Sequence, residues 1–168
     1  MELRPARPGD WPLIWPFFSQ IVAAGETYAY PLDLDADSAR SLWMEEPPGR
    51  TFVAVDTAVD GEIVLGSAKM GPNRPGRGAH IGTASFMVDP ARSGLGTGRA
   101  LGRLVVDQAR ADGYRGIQFN AVVETNRAAV ALWRSLGFQI VGTVPEAFDH
   151  AVHGLVGLHV MYLPLDPG

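Results

Sequence analysis

The chain has 168 residues, of which 46% are hydrophobic and 19% are charged, and its formal net charge at pH 7 is −4. This composition excludes a disordered chain, and the slightly acidic balance argues against a dedicated nucleic-acid surface. Because the chain contains no cysteine, it has no disulfide framework, no thiolate metal site and no cysteine nucleophile.

The length and the apolar pattern predict one cytoplasmic domain over residues 1–168. A chain of this size can bury a core without disulfides or metals. No apolar run approaches the ~18 residues that a membrane helix needs, and the first five residues lack the apolar stretch of a signal peptide. We therefore expect a protein that binds neither membranes nor nucleic acid.

The first third of the chain predicts a strand and two helices that flank an aromatic loop. Pro16 lies inside the first helical pattern, so we expect a kink or a broken start there. The predicted elements are a strand over residues 3–6, a helix N-capped by Asp10 and ended by Gly25, a loop over residues 26–31, and a short helix capped by Asp37 or Ser38.

The rest of the chain predicts three strands in succession and then alternating helices and strands. Phe52 and Ala54 alternate with Val53 and Val55 in the first of these strands. The predicted strands cover residues 51–55, 62–70, 80–88, 116–123, 138–142 and 157–163, the helices cover 96–111 and 126–136, and a turn lies at Asp60-Gly61. This order indicates a mixed α/β domain.

A glycine-rich segment, VDPARSGLGTGRAL over residues 88–101, lies between a predicted strand and a predicted helix. The first N–H groups of a helix lack intrahelical partners and carry partial positive charge, so such a turn can bind a pyrophosphate. Arg92 or Arg99 can add charge. A dinucleotide site of the Rossmann type would need the turn after the first strand, and a P-loop would need a lysine that is absent. A loop whose glycines only permit tight turns stays an alternative.

A second segment, NRAAVALWRSLGF over residues 126–138, follows the next predicted strand. Together the two segments resemble the GNAT superfamily of N-acetyltransferases, whose members carry Val-x-Pro-x-x-Arg/Gln-Gly-x-Gly-x-Gly/Ala and then Asn-x-x-Ala-x-x-Leu-Tyr-x-x-x-Gly-Phe. The resemblance implies a mostly antiparallel central sheet, splayed near its middle and flanked by helices. It also implies acetyl-CoA as co-substrate and direct transfer of its acetyl group to an amine.

The resemblance assigns most of the acetyl-CoA contacts to the glycine-rich turn. It implies that the pyrophosphate binds backbone amides of the turn, that the pantetheine pairs with the end of the preceding strand, and that Asn126 binds the pantetheine arm. The implied residues are Met87, Val88, Ser93, Gly94, Leu95, Gly96, Thr97, Gly98, Arg99, Asn126 and Trp133.

Two positions depart from the family pattern. Ser93 replaces the usual arginine or glutamine, which leaves the backbone donors in place. Trp133 stands where many members have a tyrosine that is assigned to protonate the leaving thiolate, and an indole N–H is not an acid near neutral pH. Either another group stabilises the thiolate or no acid is needed, and Trp133 also fits the apolar face of its helix.

A narrower resemblance, to a subgroup that includes fungal azetidine-2-carboxylate acetyltransferases and their bacterial relatives, bears on the acceptor. It predicts a small amine or amino acid as acceptor. The loop over residues 26–31 is also similar to phosphinothricin-type enzymes, but Thr83 replaces their strand carboxylate. The candidate catalytic residues are Asn120 and Thr83, and the candidate substrate residues are Tyr28, Tyr30, Phe86 and Arg74.

Other functions stay open at this point. The chain could acetylate a protein N-terminus or lysine, or it could bind acyl-CoA without transfer, as Trp133 and Thr83 would permit. The spacing of His150, His153 and His159 matches no metal-ligand pattern, so we expect no metal. A homodimer, which is common in the superfamily, is the expected assembly.

Overall fold

A computed structural model describes residues 1–58 and 61–165 of the protein. The strands are β1 (Glu2–Pro5), β2 (Arg50–Ala58), β3 (Gly61–Pro72), β4 (Ile81–Val88), β5 (Gly116–Val123), β6 (Gln139–His150) and β7 (Gly154–Pro164). The helices are α1 (Trp11–Ala24), α2 (Ala36–Trp43), α3 (Thr97–Ala111) and α4 (Arg127–Ser135). Asp60 of the predicted turn lies outside the described residues.

The seven strands form one sheet in the order β1-β2-β3-β4-β5-β7-β6. Each neighbouring pair is antiparallel except β4 and β5, which are parallel. These two strands pair only at Ile81 with Gly116 and at Gly82 with Ile117, and then separate. The predicted fold class is therefore confirmed: a mixed, mostly antiparallel sheet that opens in its middle.

Helices cover both faces of the sheet, and alternate side chains of β2 pack into the core on each face. Phe52 and Ala54 belong to the core that α3 and α4 complete, whereas Val53 and Val55 belong to the core under α1 and α2. Successive side chains of a strand point to opposite faces, so the continuous apolar run of β2 lies between two helical layers. No helix among the described residues is long and apolar enough to cross a membrane.

Of the two predicted helix caps, Asp10 is the N-cap of α1 without a capping hydrogen bond, and the cap of α2 is shifted. Asp10 directly precedes α1 but makes no capping hydrogen bond to it. Its carboxylate instead accepts two hydrogen bonds from the buried Arg4 guanidinium, at 2.8 and 2.9 Å. The cap of α2 is Asp35, which lies earlier in the chain than the predicted Asp37 or Ser38. The Asp35 Oδ1 accepts from the N–H groups of Asp37 and Ser38. Pro16 lies inside α1 without ending it.

The last two strands are longer than predicted. They form a hairpin in which β6 continues past residue 142 to His150 and β7 begins at Gly154. Pro145 is tolerated because β6 is the edge strand, where a missing N–H costs no ladder hydrogen bond on its outer side. The register also shifts between Val144 and Phe148, which places the irregularity next to this proline.

Candidate active site

The separation of β4 and β5 opens a cleft of about 470 Å³ in the middle of the sheet. The walls are β4, β5, the aromatic loop after α1, and the start of α4. The lining residues are Ile21, Thr27, Tyr28, Ala29, Tyr30, Thr83, Ala84, Ser85, Phe86, Met87, Val88, Phe119, Asn120, Ala121, Val122, Val123, Asn126, Ala129 and Trp133. This volume is within the range of about 300–1,000 Å³ that is usual for small-molecule sites.

The backbone of β4 presents a free edge to this cleft. The Ile81 carbonyl accepts from the N–H of Asn73, the residue after β3, and the Asp89 N–H donates to the Leu65 carbonyl of β3. The backbone groups of the odd-numbered residues of β4 therefore face β3, as in an antiparallel ladder. Phe86 and Val88 therefore direct their N–H and C=O groups toward the gap where β5 has diverged. Met87 lines the cleft as well, but its backbone pairs with Ser67 of β3, so Phe86 and Val88 carry the free edge.

The hydroxyl of Tyr28 occupies one part of this edge. It donates to the Phe86 carbonyl at 2.5 Å and accepts from the Phe86 N–H at 3.0 Å. The ring stacks on Tyr30, with centroids 5.6 Å apart and planes 2° apart, and it meets Trp43 edge-on at 6.2 Å. Burial raises the pKa of both tyrosines, so each stays a neutral phenol.

Asn120 projects from a bulge in β5. The pairing of β5 with β7 shifts register between Phe119 and Val122, which is how a bulge redirects side chains. The Asn120 amide N–H donates to Asn73 at 2.6 Å, and its oxygen accepts from Gln118 at 2.8 Å. Asn120 thus reaches the cleft while it bridges β5 to the loop after β3.

The glycine-rich turn at the end of β4 has the backbone geometry of an anion cradle. Gly94 and Gly96 have φ of 82° and 79°, a left-handed conformation that favours glycine. The Ala100 N–H donates to the Gly96 carbonyl at 3.0 Å, so the N–H groups at the start of α3 have no acceptor inside the helix. Residues 93–96 are exposed. These residues fit a pyrophosphate, whose oxygens would accept from the turn.

The charges beside the cradle are already partly paired. The Asp89 carboxylate accepts from the Ala91 N–H and forms an ion pair with Arg92. Arg99 is exposed on the first turn of α3. Of the two arginines that the sequence offered for charge, Arg99 is the one without an ion-pair partner among the described residues.

Trp133 combines a core position with a place in the cleft wall. Its side chain is buried and contacts the rings of Phe86 and Phe119, at centroid distances of 4.6 and 5.0 Å. It also packs against α3 at Gly102, where an added Cβ would lie 3.1 Å from the indole ring. Asn126 is the N-cap of α4, and its Oδ1 accepts from the Ala129 N–H at 3.2 Å.

No charged side chain lines the cleft among the described residues. Thr83 is in the lining, but Arg74 is not: its guanidinium donates to the adjacent Asn73 carbonyl, and the side chain is exposed. The described residues contain no cluster of histidine and carboxylate groups that could hold a metal ion.

The structure therefore gathers Tyr28, Tyr30, Thr83, Phe86, Asn120 and the family-implied residues of β4 and α4 around one cleft. The family-implied residues 93–99 lie beyond the end of β4 and are not in its lining, and Arg74 lies outside it. Sequence reasoning missed the contact between Tyr28 and the Phe86 backbone, and the amide contact between Asn73 and Asn120. Both join residues that are 47 or more positions apart, so no local pattern signals them.

Comparison with known proteins agrees with this architecture. The model of the acetyltransferase (GNAT) family matches residues 13–138. N-acetyltransferase aca1 of Schizosaccharomyces pombe is 34% identical over 142 residues, which cover 78% of this chain and 68% of that protein. The L-methionine sulfoximine/L-methionine sulfone acetyltransferase of Pseudomonas paraeruginosa is 33% identical over 172 residues, covering 99% and 95%. A GCN5-related N-acetyltransferase from Kribbella flavida superposes with a TM-score of 0.92 at 60% identity, covering 98% and 97%.

Proposed function

The chain belongs to the GNAT family of acetyltransferases, and from this premise we propose that it acetylates the amine of a small amino acid or amino-acid analogue by direct transfer from acetyl-CoA. One observation carries the proposal. The free edge of β4, at Phe86 and Val88, leads from the cleft directly into the glycine cradle. A single extended ligand with a pyrophosphate at one end and a reactive group at the other would fit this path.

Acetyl-CoA supplies an activated thioester, and the residues of this chain bind and orient it. The backbone amides from Ser93 to Gly98, with Arg99, hold the pyrophosphate. Val88 pairs with the pantetheine arm, and the unused N–H of the Asn126 amide adds a hydrogen bond. The Phe86 N–H polarises the thioester carbonyl, because it is the donor that faces the gap nearest to the acceptor side of the cleft.

The acceptor side is formed by the aromatic loop and by Asn120 and Thr83. Tyr28 and Tyr30 narrow this side, which favours a small acceptor over a polypeptide. The relative from Pseudomonas paraeruginosa, named for its action on L-methionine sulfoximine and L-methionine sulfone, supports an amino-acid analogue. No carboxylate or histidine lines the described cleft, so the amine loses its proton to water rather than to a protein base. Positioning then supplies much of the rate.

A homodimer is part of this proposal. Four apolar side chains on the β6–β7 hairpin are more than half exposed, namely Val141, Val144, Val152 and Leu155. Exposed apolar residues on an edge strand are typical of an interface. Sedimentation of the purified protein would give the oligomeric state, and a monomer at micromolar concentration would contradict this part. A cytoplasmic location stays a prediction from the sequence.

The test has two stages. Calorimetric titration with acetyl-CoA and with CoA measures binding at the cradle, and no binding of either would refute the proposal. Release of free CoA is then followed with L-methionine sulfoximine, L-methionine sulfone, azetidine-2-carboxylate and a peptide with a free N-terminus and a lysine. Turnover with an amino-acid analogue supports the proposal. Turnover with the peptide alone would favour a protein acetyltransferase, and binding without turnover would favour an acyl-CoA-binding module.

A further inference from the structure

The hydroxyl of Tyr28 takes the place of a missing strand. Where β5 leaves β4, the Phe86 N–H and C=O lose the neighbour that a continuous sheet would provide. The Tyr28 hydroxyl satisfies both, accepting from the N–H at 3.0 Å and donating to the carbonyl at 2.5 Å. A backbone group that is shielded from water and has no partner is destabilising, so this contact stabilises the edge of β4 at Phe86.

The same Phe86 N–H is the donor that the proposed function assigns to the thioester carbonyl. One N–H cannot serve both oxygens well, so the acyl oxygen displaces the Tyr28 oxygen from it. The shorter bond, from the Tyr28 hydroxyl to the Phe86 carbonyl, does not compete with the acyl oxygen and can persist. A hydroxyl oxygen has two lone pairs and one proton. One of these lone pairs has no partner among the described residues, and Tyr28 lines the cleft.

We propose that this free lone pair of Tyr28 accepts a hydrogen bond from the acceptor amine and positions its nitrogen beside the acyl carbon. The inference rests on the proposed function.

The surroundings of Tyr28 suit a positioning role. Its ring is held between Tyr30, which stacks on it, and Trp43, whose indole N–H donates to the buried Ser67 hydroxyl at 2.9 Å. Because the ring is already fixed, the Tyr28 side chain loses little conformational entropy when the amine binds. Burial keeps the pKa of Tyr28 above its usual range, so the hydroxyl acts as a neutral hydrogen-bond partner and neither gives up nor takes a proton.

The acetyl transfer needs no change in the protonation of Tyr28. The amine nitrogen bonds to the acyl carbon, the bond between acyl carbon and sulfur breaks, and sulfur leaves with the bonding electron pair. One amine proton passes to water. The phenol keeps its proton throughout and holds the nitrogen at the reacting distance.

The test replaces the hydroxyl alone, as Tyr28→Phe, with Tyr114→Phe as the matched control. Tyr114 packs beside Gly82 in the core on the opposite face of the sheet from Tyr28. It is not in the cleft lining. Calorimetry measures the Kd of CoA and of acetyl-CoA, and steady-state kinetics measures kcat/KM for the amine. Since the hydroxyl competes for Phe86, Tyr28→Phe is expected to bind acetyl-CoA as tightly as the parent protein or more tightly, with an unchanged Kd for CoA. Loss of one hydrogen bond to the amine is expected to lower kcat/KM by about tenfold.

Any other result for Tyr28→Phe would overturn the proposal. A selective loss of acetyl-CoA affinity in Tyr28→Phe would show that the hydroxyl donates to the acyl oxygen, which overturns the proposal. A kcat/KM within twofold of that of Tyr114→Phe would overturn it as well. An unchanged Kd for CoA also reports that the variant is folded. If the parent protein binds neither CoA nor acetyl-CoA, the proposed function itself has failed, and that outcome is separate from the behaviour of the variant.

Discussion

Replacing Gly96 by alanine tests whether the turn after β4 is an anion cradle rather than a tight loop. Gly96 has φ of 79°, and an added Cβ would meet no atom within 4 Å. The substitution therefore introduces no clash, and its effect comes from the left-handed backbone, which costs an L-residue about 1–2 kcal/mol. Relief of that strain would turn the N–H groups at the start of α3 away from a bound pyrophosphate. A hydrogen bond to a charged group contributes about 1.5–3 kcal/mol, so we expect acetyl-CoA to bind about 10- to 100-fold more weakly.

Gly113→Ala is the matched control for this variant. Gly113 ends α3 with φ of 80° and likewise has no atom within 4 Å of an added Cβ, but it lies at the other end of the helix from the cradle. Both variants should lose about 1 kcal/mol of unfolding free energy in urea denaturation, whereas calorimetry should show weaker acetyl-CoA binding for Gly96→Ala alone. If Gly96→Ala is destabilised like Gly113→Ala but binds acetyl-CoA as tightly as the parent protein, the cradle assignment is wrong.

Three further predictions concern the amide bridge, the pH dependence of turnover and the buried ion pair. Asn120→Ala should lower kcat more than it weakens acetyl-CoA binding, because its amide faces the acceptor side; an unchanged kcat would remove it from the site. The ratio kcat/KM should rise with pH along the ionisation of the amine itself, since no carboxylate or histidine lines the described cleft; a limb near pH 6–7 shared by amines of different pKa would reveal a protein base. Arg4 lowers the pKa of Asp10, so its contribution to stability is present above the unfolded pKa of about 3.9 and is lost as pH falls through the lower folded value. Asp10→Asn should therefore lose about 3–5 kcal/mol at pH 7 and show a weaker dependence on acid, which urea denaturation at pH 7 and pH 3 would measure.

The sequence located most elements because their signals are local. The alternation of Phe52 and Ala54 with Val53 and Val55 follows from the geometry of a single strand, and the glycine-rich turn follows from backbone conformations that few residues adopt. The strand predicted over residues 138–142 was too short, because β6 runs on to His150 through Pro145. Only the sheet order, which makes β6 an edge, shows why the strand continues through it.

The roles of polar side chains were less accessible to sequence reasoning. Asp10 stands where a helix cap is expected, yet its carboxylate bonds to Arg4 because the fold buries that guanidinium beside it. A cap and an ion pair require the same residue type at the same position. The choice between them depends on a partner that another part of the chain supplies.

The sequence by itself determined the family and the glycine-rich turn between β4 and α3, since both depend on motifs that are contiguous in the chain. Tertiary structure decided which backbone edge of β4 is free, that Arg74 lies outside the cleft, and that the Tyr28 hydroxyl bonds to Phe86. These facts depend on segments that are brought together only when the sheet opens between β4 and β5. Their hydrogen bonds join residues that are distant along the chain, and no local spacing encodes such a contact.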